Sequence, residues 1–209
     1  MLKAVETARN KCLRAMELTG CDIGVASEGS FGPDPVTFCA SADDEILIFI
    51  DKANELEIIV RKVSLETNFG GRQVTSESEL LEFADSAQFP SHGLILRGTR
   101  DDNQQVFKGI SSKNDLIDTF RKLSEVAGSA YVETDMRAMH NPTRMKVIGD
   151  AATKLAAKIM SRCPECDTPG FGIADRRNGL KCNICGSQTR STLSLVHRCI
   201  RCGFEKDEM

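Results

Sequence analysis

Cys163-Pro-Glu-Cys166, Cys182-Asn-Ile-Cys185 and Cys199-Ile-Arg-Cys202 place three CxxC pairs within the last fifty residues. A CxxC turn curls the backbone so that both sulfurs face one centre, and two such turns supply the four ligands of a tetrahedral zinc. The gaps between pairs, residues 167–181 and 186–198, are each long enough to run out, turn and return. The first gap carries its own turn signal, Arg176-Arg177-Asn178-Gly179, between Phe171-Gly172-Ile173-Ala174 and Leu180-Lys181. This is the grammar of a zinc ribbon, in which metal binding folds a segment too small to stabilise itself. Cys163, Cys166, Cys182, Cys185, Cys199 and Cys202 are therefore the candidate ligands of a structural Zn2+. Two full sites need eight ligands, and six cysteines with His197 make seven. One complete site with a remainder is expected, with the choice of four cysteines open. His197, two residues before Cys199, reads as a surface histidine or an outer neighbour of the metal. No export signal or βαβ context favours a disulfide or redox role for the pairs, and four thiolates leave no open position for a catalytic zinc.

Outward from these pairs, the composition sets limits. The 209 residues, 41% of them apolar, can bury a real core, which excludes intrinsic disorder and a disulfide-built mini-protein. The longest strongly apolar run, residues 46–50, is far below the roughly 20 residues that span a bilayer. No membrane contact and a cytoplasmic location are the expectation. With 27 basic against 30 acidic residues there is no global attraction to nucleic acid. The charge is uneven, however: residues 161–209 carry 8 basic and 6 acidic side chains, and residues 1–160 carry 19 and 24. That step near Ser161 suggests two domains, 1–160 and 161–209. Cys12, Cys21 and Cys39 stand apart and read as small apolar residues.

In the larger part, residues 1–19 form an amphipathic helix with Leu2, Val5, Ala8, Cys12, Ala15, Met16 and Leu18 inward and Gly20 as its stop. A short strand over 21–26 and a turn-rich loop over 27–35 follow, since glycines permit unusual angles and prolines stop a ladder. Residues 45–51 and 56–67 read as a hairpin. Ser76 and Glu79 form a capping box for a helix over 76–87, and 92–97 is a buried strand. A second capped helix over 112–128 turns Leu116, Ile117, Phe120, Leu123 and Val126 to one side, and a strand follows at 130–133. Pro142 opens a long helix whose buried stripe is Met145, Ile148, Ala152, Leu155 and Ile159. The expected fold is α/β (or α+β) with a mixed sheet, followed by a small zinc-ribbon-like domain.

Two polar stretches could carry chemistry. In the loop, Glu28 could hold a divalent cation or act as base, with Ser27, Gly29 and Ser30 beside an anion; the alternative is a tight turn. Between Glu133 and Arg144, Asp135, Arg137, His140 and Arg144 crowd the approach to the long helix. Arg137 and Arg144 either clamp a phosphate or carboxylate near the helix N-terminus or belong to a salt-bridged loop that seats the helix. His92 reads as structural.

ASEGSFGPDP (Ala26 to Pro35), TNF (Thr67 to Phe69), FPSHGLILR (Phe89 to Arg97), ETDMRAMHNPTRM (Glu133 to Met145) and the three CxxC pairs together resemble an uncharacterised bacterial family described as a domain of unknown function. More distantly, Glu6-Thr7-Ala8-Arg9-Asn10-Lys11, Thr19-Gly20 and Ala26-Ser27-Glu28-Gly29-Ser30 resemble the house-cleaning nucleoside triphosphate pyrophosphatases. That resemblance implies Mg2+ at Glu28, phosphate near Asn10 and Lys11, and base or phosphate contacts from Arg137, His140 or Arg144. It also implies an N-terminally shortened or inactive relative, because no Thr-Gly-Asn loop precedes the first helix. Two functions follow as expectations. One is a zinc-bearing protein whose larger domain binds, or as a metal-dependent phosphoanhydride hydrolase cleaves, a small phosphorylated or anionic ligand such as a nucleotide. The other is a non-enzymatic module whose ribbon, with Arg176, Arg177, Lys181, Arg190, Arg198 and Arg201, binds nucleic acid or protein.

Overall fold

Alternating burial along the strands organises the computed structural model, which describes residues 2–34 and 39–209. Met1 and Pro35, part of the expected first helix and loop, lie outside the described residues. Packing divides the chain into two compact units. One holds residues 1–4, 27–46 and 61–151, and the other holds 5–26, 47–60 and 152–209. The division follows packing and runs differently from the charge step near Ser161.

Helix α1 (Leu2–Thr19) stops at Gly20, whose φ of +68° is open to glycine. Its Ala8, Cys12 and Met16 bury against Ile48 and Ile50, whereas Leu18 is 71% exposed and outside the stripe. Strand β1 runs unbroken over Ile23–Pro33, so the expected break into a short strand and a turn-rich loop is corrected. The glycines do not turn the chain: neither Gly29 nor Gly32 has positive φ. A Cβ on Gly29 would lie 2.3 Å from Glu45 Oε1 and 2.5 Å from Arg144 Nη2, so close approach is what requires glycine there. β2 (Ser41–Asp51) and β3 (Leu56–Ser64) complete a sheet in the order β1-β2-β3. The four residues between β2 and β3 make the expected hairpin, because only an antiparallel pair can be joined so tightly. β1 is an edge strand, where the missing N–H of Pro33 is tolerated.

Gly29→Ala is expected to destabilise the protein by about 2 kcal/mol, since overpacking against an ion pair forces backbone or side-chain shifts. Gly32→Ala has open space around its Cβ and should stay within about 0.5 kcal/mol of wild type. Urea unfolding of the two variants checks both.

In the first unit, β4 (Gly71–Val74), β5 (Leu94–Arg97), β6 (Val106–Ile110) and β7 (Ala130–Thr134) form a sheet in the order β4-β7-β5-β6. All three ladders are antiparallel, which makes the class α+β and corrects the expected mixed sheet. Helices α2 (Glu77–Ser86) and α3 (Lys113–Ala127) bury Leu80, Leu116, Phe120 and Leu123 with Val74, Leu94, Leu96 and Val132. Ser76 and Ser112 cap these helices as expected, and Gly128 ends α3 at φ +72°. Val126 is 86% exposed and does not join the core.

Helix α4 (Pro142–Met160) buries Val147, Ala151 and Leu155. Leu155 is buried as expected, but Val147 and Ala151 take the places expected for their neighbours Ile148 and Ala152, and Met145 is 48% exposed. The C-terminal sheet has the order β10-β9-β8 and is antiparallel, formed by β8 (Gly172–Asn178), β9 (Thr192–Arg198) and β10 (Glu205–Glu208). The turn expected at 176–179 is corrected, because β8 continues through Asn178 and the chain turns at Gly179, φ +119°. Among the described residues no helix is long and apolar enough to cross a membrane.

Candidate functional site

Each CxxC pair closes the same backbone loop. The residue after the second cysteine, Asp167, Gly186 or Gly203, has a φ of +57°, +73° or +74°. In the first loop Cys163 N–H donates to Thr168 O and Asp167 N–H to Cys163 O, both 2.9 Å. Cys182 N–H to Ser187 O and Gly186 N–H to Cys182 O repeat this at 2.9 Å, as do Cys199 N–H to Phe204 O and Gly203 N–H to Cys199 O at 2.9 and 3.1 Å. An antiparallel bridge then ties the residue before the pair to the third residue after it: Arg162 to Pro169, Lys181 to Gln188 and Arg198 to Glu205.

The sheet decides which pairs meet. Gly172 lies opposite Arg198 in the β8–β9 ladder, and Asn178 lies opposite Thr192. Cys163 and Cys166 precede β8 while Cys199 and Cys202 follow β9, so both pairs emerge at one end of the ladder. Their four sulfurs lie within 4.8 Å of one another, with Cys163 to Cys202 and Cys166 to Cys199 each 3.6 Å apart. Four sulfurs set about 2.3 Å from a tetrahedral metal would be about 3.8 Å apart, so the cluster has the dimensions to hold a metal ion. Cys182 and Cys185 sit at the opposite tip of the hairpin. The six-residue rise of β8 separates them from the cluster by about 20 Å.

The surroundings suit a cation. The Cys166 thiol is drawn down to about 6, chiefly by the Thr168 hydroxyl and then by the Thr168 N–H. The Phe204 N–H pulls Cys202 the same way, yet burial and the neighbouring sulfurs push that thiol up to about 12. Sulfurs this crowded cannot all ionise without a positive charge between them. Arg201 N–H points at Cys199 Sγ, 3.4 Å away. Phe171 and Phe204 stack beside the buried Cys163 and Cys199 as the only other members of a very small core among the described residues. His197 packs on Phe171, and its Nε2 lies 2.9 Å from Glu208 Oε2.

A second polar cluster occupies the first unit, built where β7 runs into α4 through a 3₁₀ turn at Ala138–His140. Asn141 caps α4 by accepting from Arg144 N–H at 3.0 Å, with Pro142 as the first helical residue. Asp135, fully buried, accepts from Gly109 N–H and from the Arg137 backbone and guanidinium, at 2.6–3.1 Å. Burial would raise the Asp135 carboxyl, but the Arg137 hydrogen bonds and charge outweigh it and hold the group below the usual carboxylate range. Gly109 packs on the His140 ring: a Cβ there would sit 3.0 Å from Cε1 and Nε2. Arg144 donates to Glu45 Oε1 at 2.6 Å and to Met136 O, and its guanidinium lies 5.1 Å over the Phe31 ring.

A family model described as a domain of unknown function (DUF6671) matches residues 11–209. The chain belongs to this family. No curated protein and no solved structure matches it. In this DUF6671 chain, Asp135, Arg137 and His140 converge, and Gly29 meets Arg144. Both arginines are already paired with acids, the arrangement of a salt-bridged loop seating α4. Because Gly29 faces Glu45, strand alternation points Ser27 to the same side and Glu28 and Ser30 to the other. Asn10 and Lys11 are exposed on α1 in the other unit. His92 bridges Ser91 and Thr143 through its two ring nitrogens, a structural role.

Sequence reasoning missed Asp43 and Glu45. They are 1% and 0% exposed on one face of β2, and Asp43 Oδ1, Asp43 Oδ2 and Glu45 Oε2 are buried without a hydrogen-bond donor. Residues 46–50 are all apolar, so both faces of the strand turn inward, and extending it backwards would have placed both acids on the face of Leu47 and Phe49.

Proposed function

We propose that this is a zinc-binding protein, with Cys163, Cys166, Cys199 and Cys202 holding a structural Zn2+, and that its C-terminal ribbon is a non-enzymatic protein-interaction module. The observation that carries the reading is the gathering of four sulfurs within 4.8 Å by two identical backbone loops. A tetrathiolate site suits zinc or iron, and zinc closes it without redox chemistry. The ribbon presents Ile173, Leu180, Ile184, Leu193 and Ile200 to solvent, each more than 40% exposed. Much of its charge is spent internally, with Arg177 on Asp207 and Arg198 on Glu205, which favours a protein partner over nucleic acid. Elemental analysis tests the site: zinc should be bound by the wild type and its content should fall by about one ion per chain in Cys163→Ser/Cys199→Ser. Iron in its place, or unchanged zinc in the variant, overturns the assignment.

A second reading rests on the corner where Asp135, Arg137 and His140 meet, since the Arg137 side chain is 44% exposed. There a small phosphorylated ligand would compete with Asp135 for the guanidinium. Mg2+-dependent pyrophosphate release from a nucleotide panel that disappears in Arg137→Ala would favour this reading over the first.

A further inference from the structure

The loop at Cys182 and Cys185 duplicates both loops of the sulfur cluster in every backbone feature: the two hydrogen bonds, the left-handed residue after the second cysteine, and the closing bridge. It also repeats the first loop chemically, with Ser187 standing where Thr168 stands, two residues after the second cysteine. Such a loop is half of a tetrahedral site. The other two loops complete each other, whereas this one is about 20 Å away at the far tip of the hairpin, beyond reach of their sulfurs. Nor do the described residues offer any third cysteine, histidine or acid near it, since the four-sulfur cluster is the only group of three or more potential ligands among them.

We propose that Cys182 and Cys185 bind a second zinc together with Cys182 and Cys185 of a second copy of the chain, across a twofold axis. This deepens the zinc reading above and rests on the same loop chemistry. A second copy supplies two thiolates in the required loop geometry, and an isologous contact needs no other surface to match. The tip is prepared for such a contact. Ile184, between the two cysteines, is 96% exposed, and Leu180 is 48% exposed. Residues 179–191 contain Lys181 and Arg190 and no acid, so the two tips offset the double negative charge of a tetrathiolate zinc.

The test uses the full chain, reduced and reconstituted with Zn2+ alone. Light scattering and elemental analysis should find a dimer with about 1.5 zinc per chain, and Cys182→Ser/Cys185→Ser should give a monomer with about 1.0. Ile184→Glu should raise the dimer dissociation constant at least about tenfold while leaving the zinc of the four-sulfur cluster in place. A wild-type monomer with 1.0 zinc overturns the inference and leaves the cluster assignment standing. A monomer with 2.0 also overturns it, because the loop would then complete its site within its own chain. A dimer with 0.5 zinc, lost in Cys182→Ser/Cys185→Ser, supports the inference while removing the cluster assignment instead.

Discussion

Withdrawing the metal from the four-sulfur cluster is expected to unfold the C-terminal sheet while the first unit keeps its structure. Strand β8 is solvent-exposed at every position after Gly172, and the apolar side chains buried with the sheet are few: Phe171, the partly buried Phe204 and Val196 of β9, with two of the cysteines themselves. So few buried apolar side chains cannot offset the conformational entropy of ordering about forty residues, at roughly 1–2 kcal/mol each for the backbone alone. Metal ligation supplies the difference, and structural zinc in comparable peptides contributes on the order of 10 kcal/mol. The core of Leu80, Leu94, Leu96, Leu116, Phe120 and Val132 owes nothing to the cluster. Hydrogen exchange after chelation, or in Cys199→Ser, should show amides of β8 and β9 opening at least about a thousandfold more often. Those of β5 and β7 should remain protected. Retained protection across β8 and β9 in the metal-free chain would show that the sheet stands without metal.

The parts of the fold that the sequence announces are those governed by local chemistry. Ser76, Ser112 and Gly128 mark helix ends because a side-chain oxygen or a left-handed residue satisfies end groups within a single turn. The CxxC loops are legible for the same reason. What is decided by distant partners is not. Gly29 looks like a turn residue, and only the arrival of Glu45 and Arg144 at its α-carbon shows that it is an extended residue with no room for a side chain. Which cysteine pairs meet depends on the β8–β9 register, and gaps of similar length on either side of the middle pair give no hint of it. Asp43 and Glu45 were hidden because acids at the start of an apolar run normally mark the solvent end of a strand.

Arg144→Met should be among the most destabilising single substitutions in the first unit, costing about 3–5 kcal/mol at pH 8. Glu45 is fully buried and Arg144 is the cation it meets, with Asp43 on the same face of β2. The remaining acid nearby, Asp44, points to the opposite face, where it pairs with Arg61. Removing the guanidinium leaves two carboxyl groups in a low-dielectric interior. Even with Arg144 present the balance is poor. Burial first, then the charge of Glu45, lifts Asp43 from 3.8 to about 7 against the opposing pull of Arg144. A proton held between the two acids supplies a donor that joins two of their three orphaned oxygens. The sign follows from linkage: the native state keeps this proton between about pH 4 and 7 where the unfolded chain releases it. Stability from the group is therefore complete below about pH 4 and is lost as pH rises through 7. Asp43→Asn, whose amide can donate permanently to Glu45 Oε2, should match wild type near pH 4 and exceed it at pH 8 by a few kcal/mol. The same change should recover part of the loss in Arg144→Met, with a coupling of at least about 1 kcal/mol at pH 8 that shrinks at pH 5. Urea unfolding of the four proteins of this cycle at both pH values measures it. Equal costs for Arg144→Met in the wild-type and Asp43→Asn backgrounds would show that the two acids do not share the charge of Arg144.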